Sequence, residues 1–136
     1  MIFRSEPLLA AVRALECARC GRHGCTQAAH SNQLRFGKGK GIKASDAAVM
    51  ALCAGLGSAR CHEAHDQGGR LSKVEWWELE YFLIAKTLMR LVRCGVLVGS
   101  TELLRALPPI ETCSEALCIA LVEHIEAGRL TVTQNA

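Results

Sequence analysis

The sequence predicts a mixed α+β fold, with a small cysteine-anchored core in its first half and helices in its second. Three observations carry this. Half of the 136 residues are hydrophobic yet only 4% are aromatic, and alanine, leucine and valine dominate, which favours packed helices over a β-sandwich. Five of the eight cysteines fall before residue 62. The two Ser/Thr-x-x-Glu patterns that open a helix, Ser72–Glu75 and Thr112–Glu115, both fall after Gly69.

The elements follow in order. Ser5 caps a first short helix on which Leu8, Leu9, Val12 and Leu15 share one face. Cys17-Ala18-Arg19-Cys20-Gly21 is a turn that sets two thiols side by side. Thr26 to His30 is a short strand, and Ser31 to Lys43, polar, basic and glycine-rich, is a loop or the tip of a hairpin. Ser45 is expected to cap a helical turn through Asp46 to Met50. Cys53 to Arg60 is a second loop, and a helix starts near Cys61-His62. The Ser72 helix runs to about Cys94 and stops at Gly95. Trp77, Tyr81, Leu88 and Val92 lie on one side of it, and Trp76, Leu79 and Leu83 on another, so it needs cover from several directions. Thr101 to Leu107 is a helical piece halted by Pro108-Pro109, and the Thr112 helix reaches Ala127. Cys94, Cys113, Cys118, Trp76, Trp77 and Tyr81 are expected in the core, and His124 has a structural place. The organisation is a metal-binding core over residues 1–69 and a helical extension over residues 70–136.

Composition narrows the function classes. Net charge is only +3, so bulk charge does not announce a nucleic-acid binder. However, Arg35, Lys38, Lys40 and Lys43 form a run of four basic residues with no acid among them, enough to hold phosphate locally. The glycines at 37, 39 and 41 let backbone and phosphate approach closely. No secretory leader is visible, since Arg4 and Glu6 interrupt the start. The apolar stretch Tyr81–Val98 carries Lys86, Arg90 and Arg93 and is a poor membrane span. A cytoplasmic protein is expected, in which closely spaced cysteines are more often metal ligands than disulfides.

Two constellations carry chemistry. Cys17-x-x-Cys20 with Cys53 and Cys61 supplies four soft ligands for a structural zinc ion; Cys25 is an alternative fourth ligand and His23 a remote one. The second is His30, Asp46, His62, His65 and Asp66. The i,i+4 spacing of His62 and Asp66 puts both on one helical face, where an imidazole and a carboxylate suit a divalent cation. His65 competes for the same role.

The order of these pieces resembles a known family. Ala28-Ala29-His30-Ser31-Asn32, the loop from Gly37 to Asp46, then Ala51-Leu52-Cys53 and Cys61-His62 are similar to HNH (ββα-metal) nucleases, in particular phage recombination-enhancement nucleases and related small prophage proteins. The resemblance spans roughly Leu15 to Gly68. It implies a treble-clef-like ββα-metal core with a structural zinc and a catalytic divalent ion, Mg2+ or Mn2+. His30 then matches the general base, and Asp46 the middle position that orients it. His62 matches a metal ligand, with Asp66 one turn on. It departs at Ala29, where many such enzymes carry a further ligand, and in the Gly55-Leu56-Gly57 stretch before Cys61. The expectation is a metal-dependent DNA endonuclease or nickase in a bacterial host cell, connected with phage or prophage recombination. DNA is its partner, and a second copy or a recombination protein a possible further one. The other reading is a zinc-stabilised DNA-binding module without catalysis.

Overall fold

A computed structural model describes residues 2–54, 61–66, 71–109 and 114–133. The order is α1 (Glu6–Arg13), β1 (Thr26–His30), a 3-10 turn (Leu34–Phe36), β2 (Val49–Cys53), α2 (Cys61–Asp66), α3 (Lys73–Arg93), β3 (Leu97–Val98), α4 (Thr101–Arg105), α5 (Ser114–Glu126) and β4 (Thr131–Val132). The fold is mixed α+β, with two small sheets among the described residues and a helical C-terminal part.

Local sequence sets the helix ends. Ser5 Oγ accepts from the Leu8 N–H at 3.3 Å, and Leu8 and Val12 are buried. Ser72 and Glu75 close a reciprocal capping box at 3.2 and 3.1 Å. At the other end of α3, Gly95 takes φ +78°, a left-handed value that suits a residue without Cβ.

β1 and β2 are antiparallel, pairing Thr26 with Cys53 at one end and His30 with Val49 at the other. Every residue of β2 is buried. Its second edge is closed by side chain and loop: Ala51 N–H donates to Thr87 Oγ1 of α3 at 3.0 Å, and Ala51 C=O accepts from Ala18 N–H at 2.7 Å. An exposed strand edge is thereby avoided. The helical turn expected through Asp46 to Met50 is cut short. Ser45 Oγ and C=O accept from Ala47 and Ala48 N–H at 3.1 and 3.0 Å, and Val49 then enters the strand. Pairing with Thr26–His30 satisfies its backbone better than one more helical turn would.

α3 packs against β2 on one side and α5 on another. Leu83, Ile84, Leu88 and Leu91 join Met50, Leu52, Leu117 and Leu121 in one core, so residues from both sides of Gly69 share it. Tyr81 is buried, whereas Trp77 is exposed under Lys73 Nζ, 5.1 Å from the ring centroid. Trp77 thus departs from its expected core place, and so does Cys94, which is exposed while Cys118 is fully buried. Cys113 and Thr112 lie outside the described residues, as does the Gly55-Leu56-Gly57 stretch. No described helix is long and apolar enough to cross a membrane.

Candidate functional site

The first site is built by the turn after α1. Gly21 N–H donates to Cys17 C=O at 2.9 Å, and Gly21 takes φ +80°, which turns the chain back. The turn brings Cys17 and Cys20 against the end of β2 and the start of α2. The sulfurs of Cys17, Cys20, Cys53 and Cys61 all lie within 4.8 Å of one another. Cys20 and Cys53 Sγ are 3.7 Å apart, close to the edge of about 3.8 Å that a tetrahedron with ~2.3 Å zinc–sulfur bonds requires. The four expected cysteines are the ones gathered; Cys25 and His23 are not among them. The cluster can hold a structural metal such as zinc.

The thiols' acidities agree with that chemistry. Burial pushes Cys17 up, but the N–H groups of Cys20, Cys53 and Arg19 outweigh it and bring the thiol down to about 7. Burial also pushes Cys61 up, and there the neighbouring cysteines add to it. Three sulfurs oppose a fourth negative charge in one small volume. A divalent cation removes that opposition.

The second site lies where the β1–β2 hairpin meets α2. A cleft of about 170 Å³ is lined by Ala28, His30, Ser31, Asn32, Lys38, Lys43, His62 and Asp66. His30, at the end of β1, donates from Nε2 to Asp46 Oδ1 at 2.7 Å, which leaves Nδ1 as the basic atom of the ring. Asp46 is itself fixed: Ser5 N–H donates to Oδ2 at 2.7 Å and Arg4 Nη1 to Oδ1 at 3.1 Å. Arg4 also donates to the C=O groups of Ala44 and Lys43. Burial raises the Asp46 carboxyl, and the bonds from His30, Ser5 and Arg4 more than offset it, so its pKa lies below the ordinary value.

Across the cleft, His62 Nδ1 is 2.8 Å from Gln27 Oε1, an acceptor, and therefore donates to it. The Nε2 lone pair then faces Asp66 Oδ2 at 3.4 Å. Two lone-pair-bearing atoms at that separation suit a cation between them, and the bond to Gln27 holds the ring in the metal-binding tautomer. Asn32 Nδ2 steadies the other Asp66 oxygen at 3.4 Å. Among the described residues, the only group of three or more metal-ligating side chains is the cysteine cluster; the cleft offers a pair.

Three expected residues go elsewhere. His65 points inward, is 2% exposed, and bonds through Nε2 to Glu80 Oε2 at 2.9 Å. It is adjacent to Asp66 and so about 100° from it round the helix, and it turns toward α3 while Asp66 faces the cleft. Arg35 is taken up by Glu115 at 2.9 Å and by the Tyr81 hydroxyl at 2.5 Å. Lys40 is exposed and does not line the cleft, whereas Lys38 and Lys43 do.

Sequence reasoning missed Arg4 and Gln27, which hold the site's side chains, and Glu80, which lies behind it. Arg4 and Gln27 carry no local signal, since their partners are 42 and 35 positions away. Glu80 did carry one. It lies at i+3 from Trp77 and i−4 from Ile84, an acid on an otherwise apolar helical face, where burial demands a partner.

Compared with family models, with curated proteins and with solved structures, the chain finds no match.

Proposed function

We propose that the protein is a metal-dependent DNA endonuclease or nickase of HNH type, with a structural zinc held by Cys17, Cys20, Cys53 and Cys61. The observation that carries this reading is the shared cleft. An imidazole oriented by a carboxylate, His30–Asp46, stands on the hairpin side, and an imidazole–carboxylate pair, His62–Asp66, stands on the helix side. The order strand, loop, strand, helix supports it, because it delivers the two groups from opposite walls.

His62 Nε2 and Asp66 would hold a divalent cation, Mg2+ or Mn2+. Such a cation supplies charge stabilisation at the phosphate and at the leaving oxygen. The protein's own groups do the rest. His30 Nδ1 accepts the proton of the attacking water, and Asp46 holds the ring and stabilises the imidazolium that results. Lys38 and Lys43 hold backbone phosphates beside the scissile bond. Their contacts carry no base information, so weak sequence preference is expected.

The pair of ligands, where the cysteine centre has four, favours one other reading: a zinc-stabilised DNA-binding module without catalysis. Ala29, buried beside His30, offers no additional ligand. Supercoiled plasmid with magnesium or manganese separates the two. Cleavage by the wild type that falls about 10²–10⁴-fold in His30→Ala supports the enzyme. Binding by both with cleavage by neither supports the module.

A further inference from the structure

The described cavities, charged patches and buried ionisable groups include one carboxylate that the chemistry above does not use. Glu80 is 1% exposed and sits on α3, outside the cleft. A buried acid without partners is costly, so its partners reveal its task. Oε1 accepts from Ser31 Oγ at 2.5 Å and from Gln33 Nε2 at 3.2 Å. Oε2 accepts from His65 Nε2 at 2.9 Å, and the Asn32 N–H reaches both oxygens at 3.2 and 3.3 Å. The donors come from two places. Ser31, Asn32 and Gln33 directly follow His30 on the hairpin wall. His65 directly precedes Asp66 on the helix wall.

We infer that Glu80 is the positioning residue of the cleft, one carboxylate that fixes the hairpin wall bearing His30 and the helix wall bearing His62 and Asp66 at their working separation. The inference rests on the nuclease reading for its effect on rate, but not for its effect on geometry. The chain gives independent reasons for it. The described part of α2 is six residues, too short a stretch to hold itself by helix propensity alone, so its orientation draws on bonds to its neighbours. His65 is its buried anchor, its ring tilted 57° against that of Trp76 with centroids 5.6 Å apart. Ser31 N–H still bonds across the hairpin to Ala48 C=O at 2.9 Å, but the Ser31 hydroxyl, the Asn32 N–H and the Gln33 amide find their acceptor on α3. Ionisation makes each of these bonds shorter and more directional than a neutral acceptor would. A displacement of about 1 Å can cost a hundredfold in rate where reacting groups must align.

A buried acid held only for packing would tolerate an isosteric amide. Glu80→Gln keeps the volume but has one acceptor oxygen, and its N–H2 faces either the loop donors or His65. The test compares wild type, Glu80→Gln and Ser31→Ala, each loaded with zinc and assayed with Mn2+ on supercoiled plasmid. Zinc content and thermal melting establish that each is folded. Ring 1H–15N signals of His30 and His62 report the two walls, with His124 of α5 as the remote reference. Glu80→Gln is expected to lower kcat about 10–100-fold with KM within about twofold, and to move the His30 and His62 signals together while His124 stays. Ser31→Ala removes the shortest bond of the hairpin arm and none of the helix arm, so His30 moves and His62 does not. If Glu80→Gln fails to fold, this second variant decides alone. Wild-type kcat in Glu80→Gln, or unmoved His30 in Ser31→Ala, overturns the inference. If the wild type cleaves nothing, the nuclease reading falls, and the ring signals still decide whether Glu80 sets the walls.

Discussion

The cysteine centre and the histidine cleft both gather metal-ligating side chains, and they do so in opposite ways. At the centre, four sulfurs face one another within 4.8 Å and two of the four residues are fully buried. Four thiolates so close would repel one another, and a divalent ion such as zinc can complete the structure there. In the cleft, His30, Asp46, His62 and Asp66 each have protein hydrogen-bond partners, so the arrangement stands before any ion arrives. The first pattern suits a closed structural site, and the second, on the reading proposed above, an open one with positions left for water and substrate. Folding should therefore depend on the centre, and activity, on the reading proposed above, on the cleft.

The largest effect expected tests the first half of that contrast. Cys53→Ser, or chelation of the wild type, should abolish the cooperative thermal transition, because zinc in small sites contributes on the order of 10 kcal/mol of apparent folding free energy. Zinc stoichiometry should be one per chain and fall to zero in the variant. A cooperative melt that persists without metal would break the comparison.

Asp46→Ala tests the second half and should be smaller. It removes the group that orients His30 but leaves the hairpin paired, so cleavage should fall about 10–100-fold. The imidazole's bond partner is lost while the zinc content holds. An unchanged rate would show that the ring needs no orienting carboxylate. A smaller effect again is expected of the cleft's cations. If Lys38 and Lys43 contact phosphate, the double alanine variant should weaken DNA binding at every sequence and lower the salt slope by roughly two. The same exchange at Arg35 and Lys40 should change the slope much less, since Arg35 is already paired with Glu115 and Lys40 lies off the cleft.

Much of this was legible in the sequence, for physical reasons that differ by element. α1 and α3 were readable because Ser5, Ser72 and Glu75 act within a few residues of themselves. Cys17 and Cys20 were readable from their two-residue spacing and ligand type; Cys53 and Cys61, separated by seven residues, rested on ligand type alone, with Cys25 as the alternative. The turn after Ser45 was misread because Ser45 does start one, but Val49 has a strand partner 19 positions earlier, His30, that no local rule can weigh. His65 was placed with His62 and Asp66 because its i+3 spacing from His62 also lies near that helical face. Only the position of α3 shows that one of them must face Glu80. Arg35 looked like one more cation in a basic run, and its partner, Glu115, is 80 residues away.

The finest test of the contrast uses pH. Asp46 and Glu80 are both held below the ordinary carboxylate range. Burial raises each, but His30, Ser5 and Arg4 outweigh it at Asp46, and His65, Ser31 and Asn32 outweigh it at Glu80. A carboxyl held low binds its proton more weakly folded than unfolded. It therefore stabilises the fold fully above its unfolded value, about pH 4, and that contribution fades as pH falls through the lower folded value. Once protonated, Asp46 resembles Asn. The difference in melting temperature between wild type and Asp46→Asn should accordingly be widest above about pH 5 and narrow steadily as the pH falls below about 4. Thiol protonation also strips zinc from the centre on the acid side, but it does so in both proteins and cancels in the difference. A gap that stays constant down to pH 3 would mean that the ionised carboxylate is not what holds the cleft. The contrast would then reduce to one metal centre and a surface cluster of histidines.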